Sequence, residues 1–322
     1  MSDTAGFGVL YTDHTGLTAM TPIASLWSYE TRSRERDRRS ITLNPDGRRE
    51  YWLDRSDPLL NTILPGTGVS LIVNLGDLWA AGRSLATSGL LPRVCVVGPV
   101  TQPRILRVGR SVCAIGAGFL PTLTPGIFGV PASELVDHIV PLQDLWTPAD
   151  VDRLFASLAC VEIRRSLSTL LDELMARVGR AKSHEAAGAA APRMIEVIQH
   201  RGGRVSIDDL ARSHALSRQE FARRFHAAAG LRPKLFARIT RFHRLVRALL
   251  STDVSRWASV SPALGFYDQA HMINEFRAFA DSPPTVFFRP HGNTADPAGI
   301  QLRGRPSEWV RAPDPPLDLL LR

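Results

Sequence analysis

Two segments of the chain repeat one plan, and that plan allows few folds. In "SIDDLARSHALSRQEFARRFHAAAG" (Ser206–Gly230) the apolar residues follow a helical period that a short turn interrupts once. Ser206 suits an N-cap, and Asp208 and Asp209 suit the positive end of a helix dipole. Leu210 and Ala211 are expected to face inward. Ala215, Leu216 and Ser217 make the turn, with Ser217 capping the next helix. Leu216, Phe221 and Phe225 then pack back on the first helix and leave Arg218, Gln219, Ala222 and Arg223 outside. In "LGFYDQAHMINEFRAFADSPPTVFFR" (Leu264–Arg289) Gly265 makes the turn, and Leu264, Phe266, Met272, Phe276 and Phe279 point inward. Gln269, His271 and Asn274 are left outside. Two helices joined by a tight turn, the second polar on its outer face, form a helix-turn-helix whose second helix fits a major groove. Arg there can bond guanine bidentately, and Gln can bond adenine.

Between the two units, "RPKLFARITRFHRLVRALL" (Arg232–Leu250) reads as one long basic helix. About 18 residues at about 1.5 Å each span roughly 27 Å. With its attached units, that length suits reader helices about 34 Å apart, one turn of B-DNA. Charge points the same way. Arg193–Arg289 holds 16 Lys plus Arg and 8 Asp plus Glu, so this part alone carries the formal +8 of the whole chain. Phe221–Thr252 holds eight basic residues and no acid. A like-signed block on a folded segment suggests a polyanion partner.

Upstream the period is different. "VSLIVNLGD" (Val69–Asp77), "RVCVVGP" (Arg93–Pro99), "RILRVG" (Arg104–Gly109) and "SVCAIGAGF" (Ser111–Phe119) are short, aliphatic and bounded by Gly and Pro. Such strands predict a barrel or a sandwich. From Pro148 the spacing turns helical: Val151, Leu154, Phe155 and Leu158, then Leu167, Leu170, Leu171, Leu174 and Val178. The second stripe fits either packing on the N-terminal domain or a dimer seam. "GRAKSHEAAGAAAP" (Gly179–Pro192) reads as a linker. The tail from His291 is Pro-rich and aperiodic, and disorder is expected there. The predicted class is therefore α+β: a β-rich, barrel-like N-terminal domain with following helices (1–178), a linker (179–192), an all-α double helix-turn-helix domain (193–290) and a tail (291–322).

Other functions fit poorly. Three scattered cysteines (Cys95, Cys113, Cys160) make no disulfide framework and no C-x-x-C metal site. There is no signal-like N-terminus and no long apolar span, so a cytoplasmic protein without membrane contact is expected. A cupin-type enzyme would want several His with a carboxylate. Residues 1–150 hold only His14 and His138, so no catalytic residue, metal or cofactor is assigned. The basic cluster "RSRERDRR" (Arg32–Arg39) reads as an exposed strand or loop. A protein-interaction module with a degenerate second unit is the remaining alternative.

Residues Arg193–Arg289 resemble the DNA-binding domain of the AraC/XylS family of transcription regulators. "GLRPKLFARITRFHRLVRAL" and "GFYDQAHMINEFRAFADSPPTVF" carry the likeness. The resemblance implies seven helices in two helix-turn-helix units on one linker helix, bound to double-stranded DNA. It implies Arg218, Gln219, Ala222 and Arg223 as base readers in the first unit, and Gln269, Ala270, His271 and Asn274 in the second. Arg224 is a surface charge or a phosphate contact, and Arg238 and Arg241 on the linker helix are phosphate or packing residues. RNA polymerase, a small-molecule effector and a second copy of the chain are the other partners it implies, and an activator is expected, with the sign of regulation, activation or repression, left open. "ILPGTGVSLIVNLGD" (Ile63–Asp77), "GPVTQPRILRVG" (Gly98–Gly109) and "GVPASELVDHIVPLQDLW" (Gly129–Trp146) resemble a sensor-like domain of one branch of that family.

Three residues depart from the family pattern. Ala215 stands where the first turn usually has Gly, which is harmless if its φ is negative. Ser261 replaces a small apolar residue, and Pro262 falls inside the helix that braces the second reader helix. An interior Pro removes a hydrogen bond and costs about 3 kcal/mol, so a loosened second unit is expected.

Overall fold

The computed structural model describes residues 7–13, 23–33, 42–43, 49–54, 60–109, 111–159, 162–182, 190–250 and 257–287. His14, Cys160, most of the Arg32–Arg39 cluster and the tail lie outside these.

Alternation along the strands sorts side chains onto two faces of a sheet. In β6 (Val69–Asn74) and β11 (Cys113–Phe119), Val69, Leu71, Val73, Ile115, Ala117 and Phe119 join one buried cluster, while Ile72 and Ala114 join another. These two strands pair antiparallel, Val73 opposite Ile115 and Leu71 opposite Ala117. Around them, β1 (Phe7–Asp13), β2 (Ile23–Ser33), β3 (Thr42–Leu43), β4 (Arg49–Asp54), β9 (Val94–Val97) and β12 (Ile139–Pro141) complete an eight-stranded sheet ordered β12-β9-β6-β11-β2-β1-β4-β3. A second sheet, β5-β10-β7-β8, is built from β5 (Leu60–Ile63), β7 (Ala80–Gly82), β8 (Gly89–Leu90) and β10 (Arg104–Arg107).

The expected barrel is corrected: the described strands form two open antiparallel sheets. The turn between β10 and β11 separates them. A Cβ at Gly109 would stand 2.3 Å from the Cβ of Asp77, and the Asp77 carboxylate accepts from the Ser111 N–H at 2.8 Å. That pin sends β10 into the small sheet and β11 into the large one. Trp79, Ala81 and Leu106 of the small-sheet side pack on Ile72, Ala114 and Ile139 of the large sheet.

Helices cover the other face of the large sheet. These are α1 (Thr124–Phe128), α2 (Ala132–Leu135), α3 (Pro148–Ala159) and α4 (Ile163–Lys182). Leu167, Leu170, Leu174 and Val178 of α4 are buried in the same cluster as Leu71 and Phe119. The leucine stripe is thus packed within the chain, and the reading of it as a dimer seam is not supported. Arg177 fastens α4 to its neighbours. Its guanidinium lies 3.4 Å from the Trp146 ring centroid and pairs with Asp150 of α3 at 3.3 Å. The helix runs on past Gly179, into the stretch read as linker.

Cys95 in β9 is buried, and desolvation pushes its thiol up to about 12. A protonated, covered thiol is a poor nucleophile. Iodoacetamide at mildly alkaline pH is expected to leave Cys95 unmodified in the folded chain and to label it after denaturation. Mass spectrometry of the Cys95 peptide reads the outcome; labelling at a free-thiol rate would show that β9 is not held in the sheet.

The C-terminal part has seven helices among the described residues: α5 (Ala190–His200), α6 (Ile207–Ser213), α7 (Arg218–Ala229), α8 (Pro233–Leu250), α9 (Trp257–Ala263), α10 (Gln269–Ala280) and α11 (Pro284–Phe287). One core joins them. Phe221 and Phe225 of α7, Phe236 and Phe242 of α8, and Met272, Phe276 and Phe279 of α10 are all buried in it. Leu64 of the N-terminal domain enters the same core. Nearby, buried His243 of α8 donates from Nε2 to the Pro65 carbonyl at 2.6 Å. Short α2 is wedged between the domains. A Cβ on Gly98 would stand 1.8 Å from the Leu135 carbonyl oxygen, and one on Gly230, after α7, 2.8 Å from that of Ala132. Only glycine permits such backbone approaches.

Candidate nucleic-acid interface

The two helices expected to read bases, α7 and α10, are started and stopped alike. Ser217 Oγ accepts from the Glu220 N–H at 3.2 Å, and the Asp268 carboxylate accepts from the His271 N–H at 2.7 Å. Gly230 and Asp281 end the helices in left-handed conformation, at φ 75° and 53°. One interval of sequence separates Ser217 from Asp268, Phe221 from Met272, Phe225 from Phe276, and Gly230 from Asp281. The same register therefore aligns Arg218 with Gln269, Gln219 with Ala270, and Arg223 with Asn274.

The turns ahead of the readers differ. Gly265 has φ 76°, which glycine adopts freely, whereas Ala215 has φ 53°. The condition that made Ala215 harmless is not met. Left-handed backbone costs a residue with a Cβ about 1–2 kcal/mol, and glycine's greater freedom in the unfolded chain offsets part of that. Ala215→Gly is expected to stabilise the chain by roughly 0.5–1 kcal/mol, read as a higher urea midpoint at unchanged slope. A lower midpoint would show that the methyl group contributes packing.

The outer face of α7 is as expected from the spacing, with one addition. Arg218, Gln219 and Arg223 are exposed and Ala222 is half-buried. Glu220, overlooked in the sequence, organises this face. It accepts two hydrogen bonds from Arg223, at 2.8 and 2.7 Å, and one from Arg224 at 2.6 Å. The two guanidinium groups hold its carboxyl at about 2. The signal was in the sequence: Glu three and four residues before Arg is helix-face spacing. Arg218 is paired with Asp208 at 3.3 Å.

On α10, Gln269, Ala270, His271 and Asn274 are all exposed. His271 is partly engaged locally. Its Nδ1 accepts from the Tyr267 N–H at 3.3 Å, and its ring meets Phe266 edge-on at 5.5 Å. Tyr267 itself is 92% exposed beside the reader face, a large apolar surface that the sequence reading did not single out.

The two linker-helix arginines differ in their surroundings. Arg238 makes a two-pronged bond to Glu275 of α10, at 3.0 and 2.8 Å, and its guanidinium lies 5.1 Å from the Phe279 ring. That is a packing role, tying α8 to the second reader. Arg241 forms no salt bridge among the described residues; its Nη1 donates to the Gly265 carbonyl at 3.4 Å. It lies 5.3 Å from the Phe266 ring, and its buried Nε has no hydrogen-bond partner among the described residues.

Pro262 does less damage than expected. Helix α9 runs through it to Ala263, and Pro262 itself is exposed. Buried Ser261 donates from Oγ to the Asp268 carbonyl at 2.7 Å, and the Phe266 N–H donates to the Ser261 carbonyl at 3.1 Å. The departure at Ser261 thus braces the turn next to the departure at Pro262.

Residues 210–290 match a helix-turn-helix domain family, and residues 49–141 match a domain of unknown function, DUF6597. No curated protein matches the chain. Among solved structures it is similar to ToxT from Vibrio cholerae O395, at 7% identity and a TM-score of 0.40, over 73% of this chain and 94% of that one. A second crystal form of ToxT from Vibrio cholerae gives 10% identity and 0.40, over 72% and 94%. A ToxT structure from Vibrio cholerae strain SCE256 bound to an unsaturated fatty acid gives 7% and 0.38, over 71% and 92%. The helix-turn-helix match thus falls on a doubled unit of the same caps and register, joined by one basic helix, and residues 210–290 are similar to a helix-turn-helix domain.

Proposed function

We propose that the chain recognises a specific DNA site by setting α7 and α10 in successive major-groove faces, and that its N-terminal domain modulates that act. The observation that carries the reading is the matched pair of capped helices, each with an apolar inner face and an exposed polar outer one. In this reading Arg218, Gln219, Ala222 and Arg223, and Gln269, Ala270, His271 and Asn274, meet base edges. Arg224 meets phosphate once it leaves Glu220. Modulation is supported by the seat of α2 against the end of α7, since a shift of the N-terminal domain would reach the first reader helix directly. A small-molecule effector would act through that seat, and contact with RNA polymerase would deliver the outcome.

Selection of duplexes from a random pool by the full chain tests the reading. A defined site should emerge, and its affinity should fall linearly in log–log salt, by about 0.9 per neutralised phosphate. Recovery of no preferred sequence would sink the claim of specific recognition.

A further inference from the structure

A cleft of about 880 Å³ opens between the two helix-turn-helix units. Its floor is α8, and its walls are the segment before α6 and the start of α10. Five cations line it: Arg204, Arg218, Lys234, Arg238 and Arg241. Two carboxylates, Asp208 and Glu275, line it as well, and each is already engaged, with Arg218 and Arg238 respectively. Arg204, Lys234 and Arg241 are left with no carboxylate partner among the described residues. Arg204 is aimed by its backbone. Gly203 has φ 74°, a Cβ there would stand 2.0 Å from the Ala237 carbonyl oxygen, and Arg204 Nη1 donates to the Ala263 carbonyl at 3.0 Å. Arg241 is half-buried, and desolvation lowers its pKa; the nearby Glu275 charge offsets part of that cost and the Arg238 charge adds to it.

We propose that this cleft seats a backbone phosphodiester of the DNA between the two major-groove faces, held by Arg204, Lys234 and Arg241. The inference rests on the DNA-binding reading above and adds a contact that neither reader helix makes. The phosphate supplies the negative charge that these cations lack, and a guanidinium presents paired donors to it. Arg238 takes no part, because its pair with Glu275 is the more buried one, at 34% and 17% exposure, whereas Arg223, which gives up Glu220, is 70% exposed. The seat is blind to sequence and sets register, as phosphate contacts do.

The test is a titration of the full chain and its variants against specific and scrambled duplexes over a range of salt. Lys234→Gln and Arg241→Gln should each weaken binding to both duplexes by the same factor, roughly tenfold, and flatten the salt slope by about one. Arg241→Lys should restore most of the slope. Lys234 is exposed, so its variant remains informative if Arg241→Gln perturbs folding. If wild-type chain binds no DNA, the functional reading and this inference fall together. If wild type binds and Arg223→Ala relaxes base preference, but both cleft variants keep the wild-type slope, only the cleft assignment is overturned. Inorganic tripolyphosphate at constant ionic strength tests the other source of phosphate. Stoichiometric binding without DNA, lost in Lys234→Gln, would overturn the assignment in favour of a free anion.

Discussion

Arg223→Ala is expected to lower affinity for the specific site roughly ten- to hundred-fold, because a two-pronged contact to a base is worth about 1–3 kcal/mol of discrimination. The loss should be much smaller on a scrambled duplex, and preference should relax at one or two base pairs. The structure sharpens this. In the proposed role Arg223 would have to release Glu220 before reaching a base, so the Glu220 pair would hold it in check in the free protein. Glu220→Gln removes that hold together with a negative charge from the face proposed to meet DNA. It should tighten binding to scrambled DNA and narrow the gap between specific and scrambled sites. Competition titrations on both duplexes give the two numbers needed. Equal losses on both duplexes in Arg223→Ala would make Arg223 a phosphate contact.

Phe276→Ala should be the most destabilising change on the second unit. Its side chain is fully buried and contacts the Phe242 and Phe287 rings at 5.4 Å each. It therefore joins α10 to α8 and α11 at one point. Truncating a buried Phe costs about 3–5 kcal/mol, part transfer and part cavity. Pro262→Ala, on the exposed last turn of α9, should change stability by less than about 1 kcal/mol. Chemical denaturation of the two variants in parallel separates a packing role from a backbone role. A Pro262→Ala gain near 3 kcal/mol would mean that the proline does strain the brace, as an interior proline ordinarily does.

The helical third was legible because its signals are local. Caps, turns and apolar spacing lie within a few residues of one another, so Phe221, Phe225, Met272 and Phe276 could be placed inward from sequence alone. All four aliphatic runs singled out upstream contain strands, β6, β9, β10 and β11. Their division between two sheets was not visible, because it depends on Asp77 reaching under Gly109 from far upstream. Long-range partners hid in the site too. Nothing near Arg238 in sequence announces Glu275, and nothing near Arg241 shows that it forms no salt bridge among the described residues. Glu220 is the converse case, a local pair whose meaning depends on the surface that it guards.

The wedging of α2 bears on how this chain can be cut and recombined. The polypeptide suggests a seam between the two halves, in the stretch from Gly179 to Pro192, yet the folded interior does not respect it. Leu64 belongs by sequence to one half and by burial to the other. A fragment begun after that seam would lose Leu64 and the Pro65 carbonyl, uncovering oily surface and removing the acceptor that His243 uses. Because α2 meets Gly98 and Gly230 through backbone, a foreign sensor grafted upstream would need a matching main-chain contour, whatever its side chains. Exchange should therefore succeed when Leu64–Val136 travels with the C-terminal helical domain, and fail when the crossover is placed by sequence boundary alone.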